Sequence, residues 1–201
     1  MSLRSLVLGS LVFALGGACS RTAAPAQPPA PVRPANPPAV ATAPIRVEGA
    51  PRTTLVAQGD PVPGFHAVAA DGSAVDVVAG PRPRALVVYF YPRDETPGCT
   101  IEAEAFRDEH AVYDAAGVDV IGISTDDNDA HRGFAANHRL PFALLADPQG
   151  QIAAAFGVPV TNGHAQRTTF IVDRQGHIAR VFSPVQPRGH ADEVIAAVRA
   201  I

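Results

Sequence analysis

The residues with the clearest chemical potential stand in the run YFYPRDETPGCT, residues 89–100. Cys99 follows Pro97 and Gly98 there, at the point where an apolar strand is expected to give way to a helix. A thiol at a helix N-terminus is favoured as the thiolate, because the helix dipole and the unpaired backbone N–H groups stabilise negative charge. The thiolate is the nucleophilic form, so the sequence indicates sulfur chemistry at Cys99.

Three further residues fit that chemistry. The hydroxyl of Thr96 can donate to the thiolate and accept from an incoming hydroxyl, and Pro92 can shield the sulfur from bulk water without donating a hydrogen bond. A cation beside the sulfur is still missing from this set, and Arg167, directly before an apolar strand, is the best candidate. A permanently charged guanidinium would favour the thiolate and polarise a bound oxygen.

Each of these residues also has a simpler interpretation. Cys99 could be a buried structural thiol, Arg167 a surface ion-pair partner, and Thr96 a plain helix cap, a role that is compatible with catalysis. Glu102 lies in the first turn of the expected helix, where a carboxylate suits the dipole, and is interpreted first as structural.

Composition excludes several classes of function. A net charge of -3 and a pI near 6.1 give no electrostatic case for binding nucleic acid or an anionic membrane surface. Two cysteines exclude a disulfide scaffold, a cysteine-rich zinc site and a CxxC motif. No cofactor or metal is expected, since the acidic run at 126–129 is better explained by helix capping than by calcium. The histidines lack metal-ligand spacing and are expected on the surface: His66, His110, His131, His138, His164, His177 and His190.

The first residues have the pattern of an export signal. Residues 1–18 contain Arg4 and then a short apolar run that is too short to span a bilayer. Small residues precede Cys19, which resembles a bacterial lipoprotein signal in which the cysteine is lipidated, although Gly16 stands where that motif prefers a larger aliphatic residue. Ordinary cleavage near Ala18 or Ala24 is the alternative.

Residues 19–53 are rich in proline and alanine, and are expected to be a disordered, extended tether or a low-complexity tail without a specific role. Residues 54–201 then alternate strands and helices, which predicts one α/β domain with a mixed sheet. After a hairpin at 65–78, the expected strands are 85–91, 118–124, 142–146, 168–172 and 177–182, and the expected helices are 100–116, 127–139, 151–156 and 192–200.

The motifs resemble those of the peroxiredoxin family, and most those of its bacterioferritin-comigratory type. The family pattern of Pro, three residues, Thr, two residues and Cys is met by Pro92, Thr96 and Cys99, and the run 91–108 follows this type closely. The family's distant arginine corresponds to Arg167, and the likeness covers about residues 55–201. The resemblance implies a thioredoxin-like fold, with a central mixed sheet flanked by helices, and reduction of hydroperoxides by thiols.

In the mechanism that the resemblance implies, the Cys99 thiolate attacks the terminal peroxide oxygen and becomes a sulfenic acid, while Thr96 and Arg167 bind the peroxide. Many members of this type carry a resolving cysteine five residues later, where this chain has Glu104. We therefore expect a one-cysteine mechanism with an external thiol reductant, either a thioredoxin-like protein or a small thiol. Cys19, if it is not lipidated, is the alternative resolving thiol.

The sequence thus predicts an exported thiol peroxidase of the cell envelope or periplasm, held to the membrane only by a lipid at Cys19. Its expected partners are a hydroperoxide and a thiol reductant, and its expected state is a monomer or weak dimer. The alternative is a tethered redox sensor or binding module of the same fold, without efficient turnover. A thiol–disulfide oxidoreductase would need a second cysteine in a CxxC motif, which is absent from the sequence.

Overall fold

The computed structural model of the chain describes residues 44–201, which fold around a five-stranded sheet. Ten strands are present in this part of the chain: β1 Arg46–Val47, β2 Phe65–Val68, β3 Ala74–Val77, β4 Ala85–Phe90, β5 Val118–Ser124, β6 Ala143–Ala146, β7 Val160–Thr161, β8 His164–Ala165, β9 Thr168–Val172 and β10 Ile178–Phe182. Five helices accompany them: α1 Pro97–Asp108, α2 His110–Ala115, α3 Asn128–His138, α4 Gln151–Phe156 and α5 His190–Val198.

The central sheet has the strand order β10-β9-β4-β5-β6 and is mixed. Strands β4, β5 and β6 are parallel, and the helices between them provide the crossovers, whereas β9 runs antiparallel to both β4 and β10. All six side chains of β4 are buried, which is why its sequence is continuously apolar rather than alternating. The predicted α/β domain with a central mixed sheet flanked by helices is confirmed.

The two faces of the sheet bury separate cores. Leu86, Val88 and Phe90 of β4 point into one core, which the β2–β3 hairpin and α4 cover. Val87 and Tyr89, the alternate residues, point into the other, which α1, α3 and α5 cover. Because successive side chains of a strand face opposite ways, β4 joins the two cores and fixes the point from which the chain enters α1.

The helix bounds differ most from the prediction at the helix that carries Cys99. The expected helix 100–116 is two helices separated at Glu109, whose φ of -93° and ψ of 6° depart from helical values. The first of them begins at Pro97, which suits the first helical position because its missing N–H would have no partner there. Asp127 caps α3 by accepting a hydrogen bond from the Ala130 amide at 2.9 Å, so capping by the acidic run is confirmed.

Ordered structure begins before residue 54. Strand β1 pairs antiparallel with β2, through Arg46 with His66 and Val47 with Phe65, although these two β1 residues fall in the segment expected to be a disordered tether. Ile45 and Val47 are partly buried against the core. Their alternation covers too few residues to indicate a strand in a sequence rich in proline. The expected signal, Cys19 and residues 20–43 of the tether lie outside the described residues. Across residues 44–201, no helix has the length and apolar character needed to cross a membrane.

Candidate active site

Cys99 is the third residue of α1, and its side chain is buried at the helix N-terminus. The chain reaches Cys99 from the end of β4 through residues 91–96. The sulfur therefore lies beyond the carboxyl end of a central strand. Backbone N–H groups of a first helical turn have no partner within the helix and point toward such a group. The thiol is free, as expected, and only 1 % of the residue is exposed.

Arg167 lies against this sulfur. Its Nη2 donates to Cys99 Sγ at 3.2 Å, and its Nη1 contacts Glu102 Oε2. The arginine precedes β9, and β9 pairs with β4 so that Thr168 stands opposite Phe90. Burial disfavours its charge, but the Glu102 carboxylate and Cys99 outweigh that effect and raise the pKa of Arg167. The predicted cation therefore lies beside the predicted nucleophile, and with 13 % of its side chain exposed it is not a surface ion-pair partner.

Glu102 has a different setting from the one expected for a first-turn carboxylate. Its side chain is fully buried, and it holds the guanidinium of Arg167 rather than facing the helix end. Burial raises its pKa to about 7, although the neighbouring guanidinium opposes that rise. Within the described residues its Oε1 has no hydrogen-bond partner. Only the tertiary structure reveals this role, because Glu102 and Arg167 are 65 residues apart.

Thr96 precedes the helix, and its side chain makes no capping hydrogen bond. Its hydroxyl donates to the carbonyl oxygen of Arg93 at 3.0 Å, instead of to the thiolate as the sequence suggested. That bond fixes the hydroxyl proton and leaves the oxygen lone pairs to accept from a bound molecule. Pro92 is half-buried on the same loop, and its carbonyl oxygen lies 3.2 Å from His164 Nδ1.

A buried polar network holds the loop that leads to Cys99. The hydroxyl of Tyr91 donates to Asp94 Oδ1 at 2.7 Å, and His131 Nδ1 lies 2.8 Å from Asp94 Oδ2. The Asp94 amide donates to Asp126 Oδ2 at 2.9 Å. These contacts tie the loop to α3 and to the segment after β5, so the position of Cys99 depends on three separate parts of the chain.

The expectation that the histidines lie on the surface is wrong for two of them, since His131 and His190 are fully buried. Nε2 of His190 lies 2.8 Å from Thr169 Oγ1, and its ring packs edge-on against Phe106 and Phe182. Burial lowers the pKa of His190. The sequence signal for His131 was helical spacing, because this residue shares the inward face of α3 with Phe134, three residues later.

The arrangement suits attack on a small, polar, oxidising molecule. It combines a thiol at a helix N-terminus, a charged fork that reaches the sulfur, and a hydroxyl oriented to accept a hydrogen bond. In the part of the chain that the structure describes, no group of side chains is arranged to hold a metal ion.

The chain is similar to plant peroxiredoxin Q proteins over part of its length. A chloroplastic peroxiredoxin Q from Triticum aestivum is 41% identical over 121 residues, which is 59% of this chain and 55% of that protein. The chloroplastic peroxiredoxin Q of Arabidopsis thaliana is 44% identical over 90 residues, covering 44% of this chain and 42% of that protein. The chain spans about half the length of the curated relatives it matches.

Solved structures show the same fold over most of the described region. Peroxidoxin BcpB from Mycobacterium tuberculosis is 35% identical with a TM-score of 0.64, covering 72% of this chain and 97% of that one. The bacterioferritin comigratory protein of Xanthomonas campestris is 32% identical with a TM-score of 0.61, covering 65% and 87%. The expected thioredoxin-like peroxiredoxin fold is confirmed. Because residues 58–181 also match the AhpC/TSA family, which is more than half of the chain, this protein belongs to that family.

Proposed function

We propose that the protein is a thiol-dependent peroxidase that reduces hydrogen peroxide and organic hydroperoxides at Cys99. The observation that carries this proposal is the 3.2 Å contact between Arg167 Nη2 and Cys99 Sγ, which places a fixed positive charge on the nucleophile. Family membership supports the same reaction. So does the alkyl peroxide reduction activity of the similar bacterioferritin comigratory protein from Xanthomonas campestris.

In the proposed reaction the Cys99 thiolate attacks the terminal oxygen of the hydroperoxide. An S–O bond forms as the O–O bond breaks, so the sulfur is oxidised to a sulfenic acid and the peroxide is reduced to water or an alcohol. Arg167 and the backbone N–H groups of the first turn of α1 stabilise the charge that develops on the departing oxygen. The Thr96 oxygen accepts a hydrogen bond from the peroxide hydroxyl and orients it.

The sulfenic acid then needs a thiol from outside the domain. Glu104 occupies the position at which the resemblance implies a resolving cysteine in many members, and Cys99 is the only cysteine in residues 44–201. One external thiol forms a mixed disulfide with Cys99 and releases water, and a second thiol displaces the Cys99 thiolate. This cycle uses two thiols for each peroxide. Resolution by Cys19 is the competing route.

Steady-state peroxide consumption tests the proposal. The full chain with Cys19→Ser is expected to consume hydrogen peroxide and an organic hydroperoxide with either dithiothreitol or a thioredoxin as reductant. Without a reductant, it should stop after one peroxide and carry one added oxygen by mass spectrometry. The Cys99→Ser variant provides the blank. Oxidation no faster than that of free cysteine would refute the catalytic role, and fast oxidation without turnover would favour the redox sensor.

We also propose export and lipid anchoring at Cys19, which the sequence of residues 1–19 supports. In a bacterial host, the full chain is expected to fractionate with membranes, and Cys19→Ser or Cys19→Ala is expected to move it to the soluble fraction. Peroxidase activity should be unchanged in both variants, because Cys19 takes no part in the one-cysteine cycle. A disulfide between Cys19 and Cys99 after peroxide treatment of the unlipidated chain would contradict that cycle.

A further inference from the structure

The loop before Cys99 contains a residue in an unfavourable backbone conformation. Glu95, which directly precedes Thr96, has a φ of 57°, in the left-handed region that residues with a side chain rarely occupy. Such a conformation persists only where the surrounding structure holds it. The contacts that hold Glu95 therefore bear on the position of Thr96 and on the start of α1.

Those contacts come from the C-terminal end of α3. Asn137 Nδ2 donates to Glu95 Oε1 at 2.8 Å, and His138 Nε2 lies 3.0 Å from Glu95 Oε2. The other ring nitrogen of His138, Nδ1, lies 3.2 Å from Glu104 Oε1 on α1. The imidazole therefore stands between two carboxylates, one on the active-site loop and one on the helix that carries Cys99.

This geometry specifies the protonation state of the ring. A carboxylate can only accept a hydrogen bond, so two such partners require an N–H on both ring nitrogens. A neutral imidazole has one N–H and would present a lone pair to one of the carboxylates. The bridge from Glu95 through His138 to Glu104 is therefore complete only when His138 is the imidazolium.

The charges around the ring favour that form. Hydrogen bonding to Glu95 raises the pKa of His138 against the effect of burial, and Glu104 contributes in the same direction. From α1, the Arg107 guanidinium donates to the His138 carbonyl oxygen at 2.8 Å and reaches Glu104 Oε1 at 3.4 Å, while also pairing with Asp108. On α3 the ring packs edge-on against Phe134, with a centroid distance of 4.9 Å.

We propose that His138 is a positioning residue for the peroxidase site, which as an imidazolium clamps the active-site loop to α1 and α3 and which releases the loop when it loses its proton. This inference rests on the proposed function of Cys99. Glu104 is part of the clamp and stands five residues after Cys99, the position at which the family resemblance implies a resolving cysteine in many members.

The sign of the pH dependence follows from the raised pKa. A histidine whose pKa is higher in the folded protein contributes its stabilisation fully below about pH 6.5, its ordinary value, and loses it as pH rises through the folded-state value. The loop is therefore held at mildly acidic pH and loosened at alkaline pH.

Hydrogen exchange of the full chain at about pH 6 and about pH 8.5, which bracket the histidine range, tests the clamp. After correction for intrinsic exchange rates, the amides of residues 93–100 are expected to lose about tenfold in protection at the higher pH. This loss is the combined effect of the two partly exposed ion pairs that His138 makes with Glu95 and Glu104. His138→Gln, which cannot become charged, should be equally unprotected at both values. His66→Gln is the matched control, because His66 also contacts two carboxylates, Asp76 at 2.7 Å and Glu48 at 3.6 Å, but lies on β2.

Two further measurements test whether His138 acts as a positioning residue. Ring nitrogen shifts of His138 in the wild-type chain should show an imidazolium at the lower pH, a measurement that needs no variant to fold. The rate constant for Cys99 oxidation should fall about fivefold in His138→Gln at the lower pH and match the wild type at the higher pH.

Equal loop protection at both pH values, or an equal rate loss at both, would overturn the clamp. An active peroxidase with a pH-independent loop would overturn this inference alone. A pH-dependent loop without peroxide turnover would overturn the proposed function and leave His138 as a loop clamp without a catalytic consequence.

Discussion

Replacing Arg167 by alanine is expected to lower the second-order rate constant for Cys99 oxidation by hydrogen peroxide by about 10²–10³, the typical cost of removing a charge-stabilising donor from an active site. The guanidinium contacts Sγ at 3.2 Å. In the proposed reaction it therefore holds the sulfur and also stabilises the charge that develops on the departing oxygen. Both effects are lost together in Arg167→Ala. Stopped-flow measurement of Cys99 oxidation under pseudo-first-order conditions gives the rate constant directly.

Two variants separate the charge of Arg167 from its shape. Arg167→Lys keeps a positive charge but cannot reach Cys99 and Glu102 at once, and about a tenfold loss is expected because the planar fork is absent. Glu102→Gln keeps the shape of the partner and removes its charge, so a smaller loss is expected than for either arginine variant. An alanine variant that oxidises at the wild-type rate would show that Arg167 is a structural ion-pair partner only.

The chemistry of Glu102 argues against loss of folding as the cause of the alanine effect. Without Arg167, the buried Glu102 would lose its counter-charge, but its pKa is already about 7 and the carboxyl can take up a proton. Thermal unfolding of Arg167→Ala measured near pH 6, where protonation is favoured, provides the control. A large fall in melting temperature at that pH would assign the rate loss to the fold.

Gly157→Ala is expected to destabilise the domain by about 3–5 kcal/mol, the range of severe packing and backbone defects. Gly157 ends α4 with a φ of 69°. A Cβ at this position would overlap the backbone carbonyl of Thr54 and approach Leu55 N to 2.8 Å. The overlapped atoms are backbone and cannot rotate away. The adjoining Val56 amide donates to Phe156 O at 3.0 Å, so relief of the overlap would cost that bond.

Gly189→Ala is the matched control for this prediction. Its φ of 79° is also positive, but a Cβ there would meet nothing within 4 Å, so only the backbone cost of about 1–2 kcal/mol is expected. Urea denaturation of both variants gives the two free energies of unfolding. If the two changes are equally destabilising, the close approach of Thr54 to the end of α4 contributes nothing to stability.

Several elements could be located from sequence because their signals are local. The bounds of β5 and β9 are as predicted, since largely apolar runs ended by turn residues are typical of strands in the middle of a covered sheet. The bounds of α4 are also as predicted, because Gly150 and Gly157 flank this helix. The signals failed where a contact distant in sequence decides the outcome. Residues 46–47 join a sheet only because β2 offers them an edge, and no local pattern marks that edge among the prolines.

The buried polar residues were the least accessible to sequence reasoning. Glu102 and His131 are of residue types that usually lie on the surface. Each is buried here beside a partner that is distant in sequence, Arg167 in one case and Asp94 in the other. Burial of a charged or polar group is stabilised only by such partners. A sequence gives the identity of both members of each pair, but it does not show that they meet.

The candidate nucleophile and the candidate cation could be identified from the sequence, because Cys99 after Pro97 and Gly98 and Arg167 before an apolar run are local features. Their proximity is visible only in the folded chain. Cys99 and Arg167 are 68 residues apart, and they meet because β9 pairs with β4 in the register that sets Thr168 opposite Phe90. That register follows from the burial of both faces of the sheet, since a slip by one residue would turn every apolar side chain of β9 to the wrong core.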